Sequence, residues 1–159
     1  MKQALEFLST RVEGWPAFET DRDGDVVTGT LTTQVVPGTP LRTQSAWTGP
    51  LDGTSRFTLI SLEDTRTPDA QLSRFRGDLV LSTPRGDLIG QDDGLWDLAT
   101  GVYVDVYRVT AGTGDYEGAT GVIVLTGTLD PVNGQGVSEY RGVVSQDGHE
   151  EYVGHDTTD

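Results

Sequence analysis

The sequence predicts an all-β protein, a closed antiparallel barrel of about eight strands. From about position 25 onward Gly, Thr and Val dominate, and short segments of alternating polar and apolar residues recur at roughly regular spacing. Turn-forming pairs and prolines fall between these segments, and no long stretch with helical periodicity follows position 20. A two-sheet sandwich is the alternative, but only a closed barrel leaves no strand edge exposed.

The strand boundaries follow from the alternation and the turn signals between the segments. Asp52-Gly53 and Asn133-Gly134 are strong turn signals. Pro37, Pro84 and Pro131 also fall between segments, where a missing N–H group removes no ladder hydrogen bond. We predict strands at about 25–36, 41–49, 55–64, 70–83, 86–92, 101–110, 118–130 and 135–145, and a short ninth segment at 150–154.

The sixth and seventh predicted strands carry apolar residues on both faces. In the sixth, Val102 and Val104 point one way, and Tyr103 and Tyr107 point the other; the seventh holds the unbroken apolar run 122–125. The barrel interior can cover one face of such strands, and the other face needs a partner chain or an N-terminal segment. We therefore expect a homodimer or homotrimer.

Length and composition indicate one domain. The 159 residues give room for a single hydrophobic core, and we divide them into an N-terminal segment (1–24), a β-barrel domain (25–148) and an acidic C-terminal tail (149–159). With no cysteine, a disulfide scaffold and thiolate chemistry are excluded. No apolar run is long enough for a transmembrane helix, and the first 14 residues lack the apolar core of a signal peptide. These features predict a cytoplasmic protein.

Charge argues against two classes of partner. The formal net charge is −14, and Lys2 is the only lysine. A nucleic acid or an anionic membrane would repel such a surface, so we expect neither as a partner.

The segment Gly112–Gly121, with the sequence GTGDYEGATG, is the most informative stretch. It resembles the G-T-G-x-[FY]-x-G-[AL]-x-G hairpin of the allene oxide cyclase/dirigent superfamily, and the resemblance is good over 86–130. That superfamily includes plant allene oxide cyclases, dirigent proteins and bacterial relatives of the spirotetronate-cyclase kind. The resemblance implies a calycin-like barrel. Independently of it, the residues of this segment indicate that Tyr116 can pack over the barrel mouth. The resemblance also implies either a cyclase acting on small apolar substrates or a barrel without a reaction, and none of the family's catalytic residues can be matched to this chain.

Cofactor motifs are absent from the sequence. The glycines at 112, 114 and 118 superficially suggest a dinucleotide loop, but the spacing differs by one residue and no helix follows. The stretch 136–140 lacks the second glycine of a nucleophile elbow. We expect no cofactor.

Metal motifs are equally incomplete. Asp21, Asp23 and Asp25 look like the start of a calcium loop, but the glycine at its sixth position and the glutamate at its twelfth are missing. His149 and His155 are the only histidines and do not form an H-E-x-x-H pair. We expect a solvated turn at Asp21, Asp23 and Asp25, and a loosely ordered tail around the two histidines. We expect no metal site.

Aromatic residues on the predicted strands are candidates for a ligand pocket. A barrel of eight strands has an interior just large enough for side chains or for one small ligand. Core packing is the alternative role for these rings. The candidate ligand-binding residues are Trp47, Phe57, Phe75, Trp96 and Tyr140.

Polar residues on the same strands are candidates for catalysis. Tyr103, Asp105 and Tyr107 alternate on one face of the sixth strand, and Glu139 lies on the last long strand. A carboxylate buried among aromatic rings has a raised pKa and can act as an acid or a base. Exposure on the outer face is the alternative for each charged residue.

These features predict a cofactor-independent cyclase or isomerase. Its barrel would fold a small, largely apolar substrate, such as a polyketide or an oxidised fatty acid, into a reactive conformer away from water. Two alternatives remain: a non-catalytic barrel that binds a hydrophobic ligand, and a structural barrel that acts through its surface. A filled interior would favour the structural barrel, and an apolar pocket would favour the ligand-binding barrel. A pocket with a desolvated carboxylate would favour the cyclase or isomerase.

Overall fold

Eight antiparallel strands close into a barrel in the computed structural model, which describes residues 24–65 and 71–146. Each strand pairs with its neighbours in sequence, and β1 pairs with β8 to close the sheet. The strands are β1 (Gly24–Val36), β2 (Arg42–Trp47), β3 (Gly53–Asp64), β4 (Leu72–Thr83), β5 (Gly86–Asp97), β6 (Val102–Gly112), β7 (Thr120–Leu129) and β8 (Gln135–Ser145). The predicted all-β closed barrel is therefore confirmed.

Several predictions fall outside the described residues. They concern most of the N-terminal segment, the acidic tail, the ninth segment at 150–154 and both histidines. No helix within the part of the chain that the structure describes is long and apolar enough to cross a membrane.

Alternation along each strand separates the barrel interior from the outer face. In β8, the side chains of Ser138, Tyr140 and Val144 are buried. Val137, which precedes Ser138, and Glu139, which lies between Ser138 and Tyr140, are exposed. A period of two places every second side chain on one side of the sheet, as the sequence pattern predicts. The interior side chains form the core of the protein.

β5 is longer than predicted, because the strand expected at 86–92 continues to Asp97. The sequence Asp92-Asp93-Gly94 has the composition of a turn, which favours an end of the strand at this point. In the structure, Asp92 points into the barrel, and Asp93 points outward.

Contacts with β4 explain why this segment stays extended. The Asp93 carboxylate accepts two hydrogen bonds from the Arg74 guanidinium, at 2.9 and 2.7 Å. A Cβ atom at position 94 would lie 2.4 Å from Cζ of Phe75, so the glycine makes room for the phenyl ring. Cross-strand contacts thus override the local turn preference.

One end of the barrel, called the closed end here, is covered by two short 3₁₀ turns. They span Gly49–Leu51, between β2 and β3, and Gly114–Tyr116, between β6 and β7. Leu51 and Tyr116 are both buried and cap the interior. The packing of Tyr116 over this end agrees with the arrangement expected from the residues of the Gly112–Gly121 segment.

Large side chains fill the interior beneath these turns. The rings of Trp47 and Tyr140 pack with centroids 4.8 Å apart. The Tyr140 hydroxyl donates to the Thr48 carbonyl oxygen at 2.6 Å, and the backbone N–H of Leu51 donates to that hydroxyl at 3.3 Å. The closed end is therefore a packed core whose polar groups have partners.

The outer face of β6 and β7 carries exposed valines, as the two-faced pattern predicts. Val102 is 54% exposed, and Val104, Val122 and Val124 are each about 40% exposed. The inward residues of the same strands include Tyr107 and Ile123, which are fully buried. The expected homodimer or homotrimer, which would cover these valines, stays a prediction.

Candidate functional site

A cavity occupies the opposite end of the barrel, called the open end here, where β3 runs towards β4 and β5 towards β6. About 80 Å³ of this cavity is accessible to the centres of water-sized molecules. A single buried water needs about 10–15 Å³ on that measure, so the cavity has room for a small ligand or for one end of a longer one. Leu62, which lines the cavity, is 46% exposed, so the cavity reaches solvent on this side.

Apolar side chains form most of the cavity wall. Phe57 and Phe75 meet edge to face with ring centroids 6.1 Å apart, and Phe75 meets Tyr103 in the same way at 6.5 Å. Trp96 lies at the rim, where its indole N–H donates to the Leu129 carbonyl oxygen at 3.0 Å. Such edge-to-face contacts hold the rings in a fixed arrangement around the cavity.

Most polar side chains in the wall bond to each other or to neighbouring residues. The Thr33 and Ser45 hydroxyls share a hydrogen bond of 2.8 Å. The Ser55 hydroxyl accepts a hydrogen bond from the Trp47 indole N–H, also at 2.8 Å. These groups are satisfied without a ligand.

Asp92 on β5 and Asp105 on β6 are the exception. Their side chains line the cavity, and the two residues are only 5% and 3% exposed. The two carboxyl groups lie within hydrogen-bonding reach of each other. Within residues 24–65 and 71–146, the Oδ1 atoms of these two residues are the buried side-chain polar atoms that have no hydrogen-bond partner. We call these two residues the carboxyl pair.

Burial raises the pKa of both members of the carboxyl pair. Desolvation raises the pKa of Asp105 to about 6, although a hydrogen bond with Asp92 and the backbone N–H groups of Val106 and Asp93 lower it. Desolvation, the Asp105 charge and the hydrogen bond with Asp105 raise the pKa of Asp92 well above its usual range. Among the described residues, backbone N–H groups stabilise ionised Asp105 and none does so for Asp92, so we expect the proton of a singly ionised pair on Asp92.

The hydroxyl of Tyr103 lies in the same cavity wall and shares a short hydrogen bond with the Ser138 hydroxyl. Burial raises the pKa of Tyr103 to about 12, and the neighbouring carboxyl groups of Asp105 and Asp92 add to this shift. The phenol is therefore neutral at physiological pH and serves as a hydrogen-bonding group.

The structure brings some of the predicted site residues together and separates others. The cavity is lined by Tyr103 and Asp105 from the candidate catalytic set, and by Phe57, Phe75 and Trp96 from the candidate ligand-binding set.

The remaining candidates lie elsewhere. Trp47 and Tyr140 belong to the core of the closed end, where each has a hydrogen-bond partner. The Tyr107 ring is fully buried in the same core, and its hydroxyl donates to the Leu88 carbonyl oxygen at 2.8 Å. Glu139 faces outward from β8 and is exposed, because it lies between the inward residues Ser138 and Tyr140. The structure therefore gives these four residues no contact with the cavity.

Asp92 is the functional candidate that sequence reasoning missed. Its position at the supposed end of a strand, next to Asp93 and Gly94, favoured a solvated turn. A signal was available, since residues 88, 90, 92, 94 and 96 continue one strand face and Leu88 and Trp96 are apolar. An aspartate on a face that is otherwise apolar or glycine is a departure of the kind that functional sites show.

The chemical capacity of the site follows from these groups. A carboxyl pair that holds one proton offers an acid and a base side by side. The surrounding aromatic wall is less polar than water, so electrostatic interactions with these groups are stronger than in bulk solution. In the described part of the chain, no cluster of three or more histidine, aspartate or glutamate residues is arranged to hold a metal ion.

Comparison with known proteins adds little to this description. No family model matches the chain, and no curated protein matches it. Among solved structures, the chain is similar to the Diels Alderase AbmU from Streptomyces koyangensis, with a TM-score of 0.42 and 20% sequence identity. That match covers 89% of this chain and 75% of AbmU.

Proposed function

We propose that the protein is a cofactor-independent cyclase or isomerase, and that it binds a small, largely apolar substrate, or the apolar end of a longer one, in the open end of the barrel. An oxidised fatty acid or a polyketide has the required chemistry: an apolar carbon chain with a few carbonyl groups. The proposal extends the expectation that the Gly112–Gly121 resemblance raised. The cavity volume limits how much of the substrate lies inside at one time.

The carboxyl pair is the observation that carries the proposal. A barrel that only holds an apolar ligand has no need of two buried carboxyl groups in its cavity, because their desolvation costs stability. Natural proteins keep such groups where chemistry needs a shifted pKa. Aromatic rings around the pair would hold a flexible chain in a reactive conformer, a contribution that needs no cofactor.

A panel of linear polyene ketones and oxidised fatty acids tests the proposal. Each compound is incubated with the full chain, and the products are separated by chromatography with mass detection. We expect at least one compound to give a product of unchanged mass and altered retention, because cyclisation and isomerisation leave the atomic composition unchanged. Binding of the same compounds is followed through the tryptophan fluorescence of the protein, to which Trp96 at the cavity rim contributes.

Two variants of β2 provide a matched comparison. Ser45→Leu adds bulk to the cavity wall, whereas Gln44→Leu makes the same addition on the exposed outer face. We expect conversion and binding to be lost in Ser45→Leu and kept in Gln44→Leu, with both proteins giving a folded circular dichroism spectrum. Binding without conversion for every compound would contradict an enzyme and favour a ligand carrier. Equal conversion by both variants would contradict a reaction in this cavity.

A further inference from the structure

The carboxyl pair has a specific chemical role that we infer from its placement: Asp105 removes a proton from the carbon beside a ketone while Asp92 protonates the ketone oxygen. The pair thus forms the enol of a neutral, otherwise apolar ketone. This inference rests on the proposed function, because it locates the reaction in the same cavity and names the substrate class. It applies to a proton-transfer isomerisation, in which no atom is gained or lost.

Both carboxyl groups line the cavity, so both can contact a ligand bound there. Asp92 and Asp105 come from adjacent strands, and both side chains line the cavity. Each has an Oδ1 atom that is buried and without a hydrogen-bond partner in the described part of the chain. An unpartnered buried oxygen is costly unless a ligand or water completes it. A carbonyl group and its neighbouring C–H bond would supply one partner to each carboxyl group.

The surroundings assign different roles to the two members. Backbone N–H groups of Val106 and Asp93 stabilise the ionised form of Asp105. Asp92 has no such donor among the described residues and faces the Asp105 charge, so it keeps the proton. The base is therefore Asp105, and the acid is Asp92.

The proton transfers balance over one cycle. The C–H bond beside the carbonyl breaks, its proton joins an Asp105 oxygen, and the Asp92 proton joins the ketone oxygen to give a neutral enol. In a β,γ-unsaturated ketone, Asp105 then returns its proton to the γ carbon while the enol O–H returns its proton to Asp92. The double bond has moved into conjugation with the carbonyl, and both carboxyl groups are in their starting states.

Charge and size define the substrate. An anionic carboxylate would be repelled by ionised Asp105 and would lose its hydration in the apolar wall. A neutral ketone meets neither penalty and accepts a hydrogen bond from Asp92. The cavity is small, so the ketone is at or near the end of the substrate.

The probe for this inference is 4-hexen-2-one, a neutral β,γ-unsaturated ketone of suitable size. Migration of its double bond is followed by ultraviolet absorbance of the conjugated product, and uptake of deuterium from D₂O by NMR. We expect the full chain to accelerate both processes at least a hundredfold over buffer that contains an equal concentration of acetate. Asp105→Asn removes the base with little change in size, and we expect it to lower the rate on the order of a hundredfold or more.

Asp92→Asn and Asp78→Asn complete the set. Asp92→Asn removes the acid, so we expect a rate loss comparable with that of Asp105→Asn. Asp78 is exposed on the outer face of β4, where its carboxylate accepts a hydrogen bond from Gln91, and we expect Asp78→Asn to keep the wild-type rate. Binding of the ketone to each variant is measured by saturation-transfer NMR, so that lost chemistry is separated from lost folding.

The pH profile gives an independent signature. The active form needs Asp105 ionised and Asp92 protonated, so the rate rises as pH passes through the pKa of Asp105 at about 6 and falls again when Asp92 ionises. Other titratable groups near the pair do not produce this shape. Tyr103 and Tyr107 have raised pKa values and stay neutral, and Asp93 stays ionised beside Arg74 and Arg76.

The possible results distinguish this inference from the proposed function. Catalysis by the wild type, lost in both pair variants and bell-shaped with pH, would support the inference. Binding of the ketone without isomerisation or deuterium uptake would overturn it, while the panel of polyene compounds could still support a cyclase. Undiminished rates in Asp105→Asn or Asp92→Asn would also overturn it. Absence of any ketone binding would count against the cavity itself and so against both.

Discussion

The two ends of the barrel interior are built from the same strands but differ in whether their buried polar groups have hydrogen-bond partners. At the closed end, Trp47, Tyr107 and Tyr140 pack tightly, and each polar atom of these rings has a hydrogen-bond partner. At the open end, the aromatic rings meet edge to face around a cavity, and two carboxyl oxygens have no partner among the described residues.

This difference separates stability from function within one small domain. A packed core with satisfied polar groups contributes most of the folding free energy. A cavity with desolvated carboxyl groups lowers that free energy, and it is retained where chemistry requires it. The closed end therefore has to stabilise a barrel whose open end is held in an unfavourable state.

Truncation of matched leucines is the strongest test of this comparison. Leu88 is fully buried at the closed end, and Leu59 is partly buried in the cavity wall. We expect Leu88→Ala to lower the free energy of unfolding by about 2–5 kcal/mol, because it leaves a void in a packed core. We expect Leu59→Ala to cost about 1 kcal/mol, since its side chain has fewer packing contacts to lose. Urea unfolding at one pH measures both, and equal losses would contradict the division of the interior.

Replacement of Asp105 tests the cost of the carboxyl pair. The pKa of Asp105 is raised from 3.8 to about 6 in the folded state, so the protonated form favours folding. Its contribution to stability is fully present below pH 4 and is lost as pH rises through 6. A shift of this size corresponds to about 3 kcal/mol at most. We therefore expect Asp105→Asn to be about 2 kcal/mol more stable than the wild type at pH 8, with the gain disappearing at pH 4.

The quantity to compare between pH 8 and pH 4 is the difference in unfolding free energy between the Asp105→Asn variant and the wild type. Other carboxyl groups act in the opposite direction: hydrogen bonds from Arg74 to Asp93 and from Thr100 to Asp97 lower the pKa values of those aspartates. Asp78→Asn, on the exposed outer face, is the control for removal of a negative charge from a chain of net charge −14. A gain at pH 8 that is no larger in Asp105→Asn than in this control would show that burial of the pair has no cost.

Much of the fold was predictable because alternation repeats in every strand. Seven of the eight strands have boundaries within a few residues of their predicted positions, as β8 at 135–145 illustrates. The pattern also predicted that Tyr103 and Tyr107 lie on the face of β6 opposite to Val102 and Val104, and the structure shows that the tyrosine face is the inward one. Short-range information suffices for such features, because a strand shows its two faces in its own sequence.

The site was predictable only in part, because position along the barrel axis is not encoded in the local pattern. Asp105 and Tyr107 are two residues apart on the same face of β6, yet one lines the cavity and the other lies in the packed core. Glu139 was a candidate from its residue type alone, and its neighbours place it on the outer face. Asp92 was missed because a long-range contact with β6 and the fit of Phe75 over Gly94 keep an apparent turn extended.

Removal of matched hydroxyl groups gives the smallest and most selective test of the two ends. We expect Tyr140→Phe to lower the free energy of unfolding by about 1–2 kcal/mol, because it removes a bond to the Thr48 carbonyl oxygen and leaves the Leu51 N–H without a partner in a dry core. Tyr103→Phe also removes one hydrogen bond, the one shared with Ser138.

That second loss occurs beside a cavity that reaches solvent, where water can replace the phenol as the partner of Ser138. We therefore expect Tyr103→Phe to change stability by less than about 0.5 kcal/mol. Urea unfolding of both variants at pH 7 measures the contrast. A cost for Tyr103→Phe as large as that for Tyr140→Phe would mean that the open end is as dry and as tightly bonded as the closed end, and the cavity would then have no path for a ligand to enter.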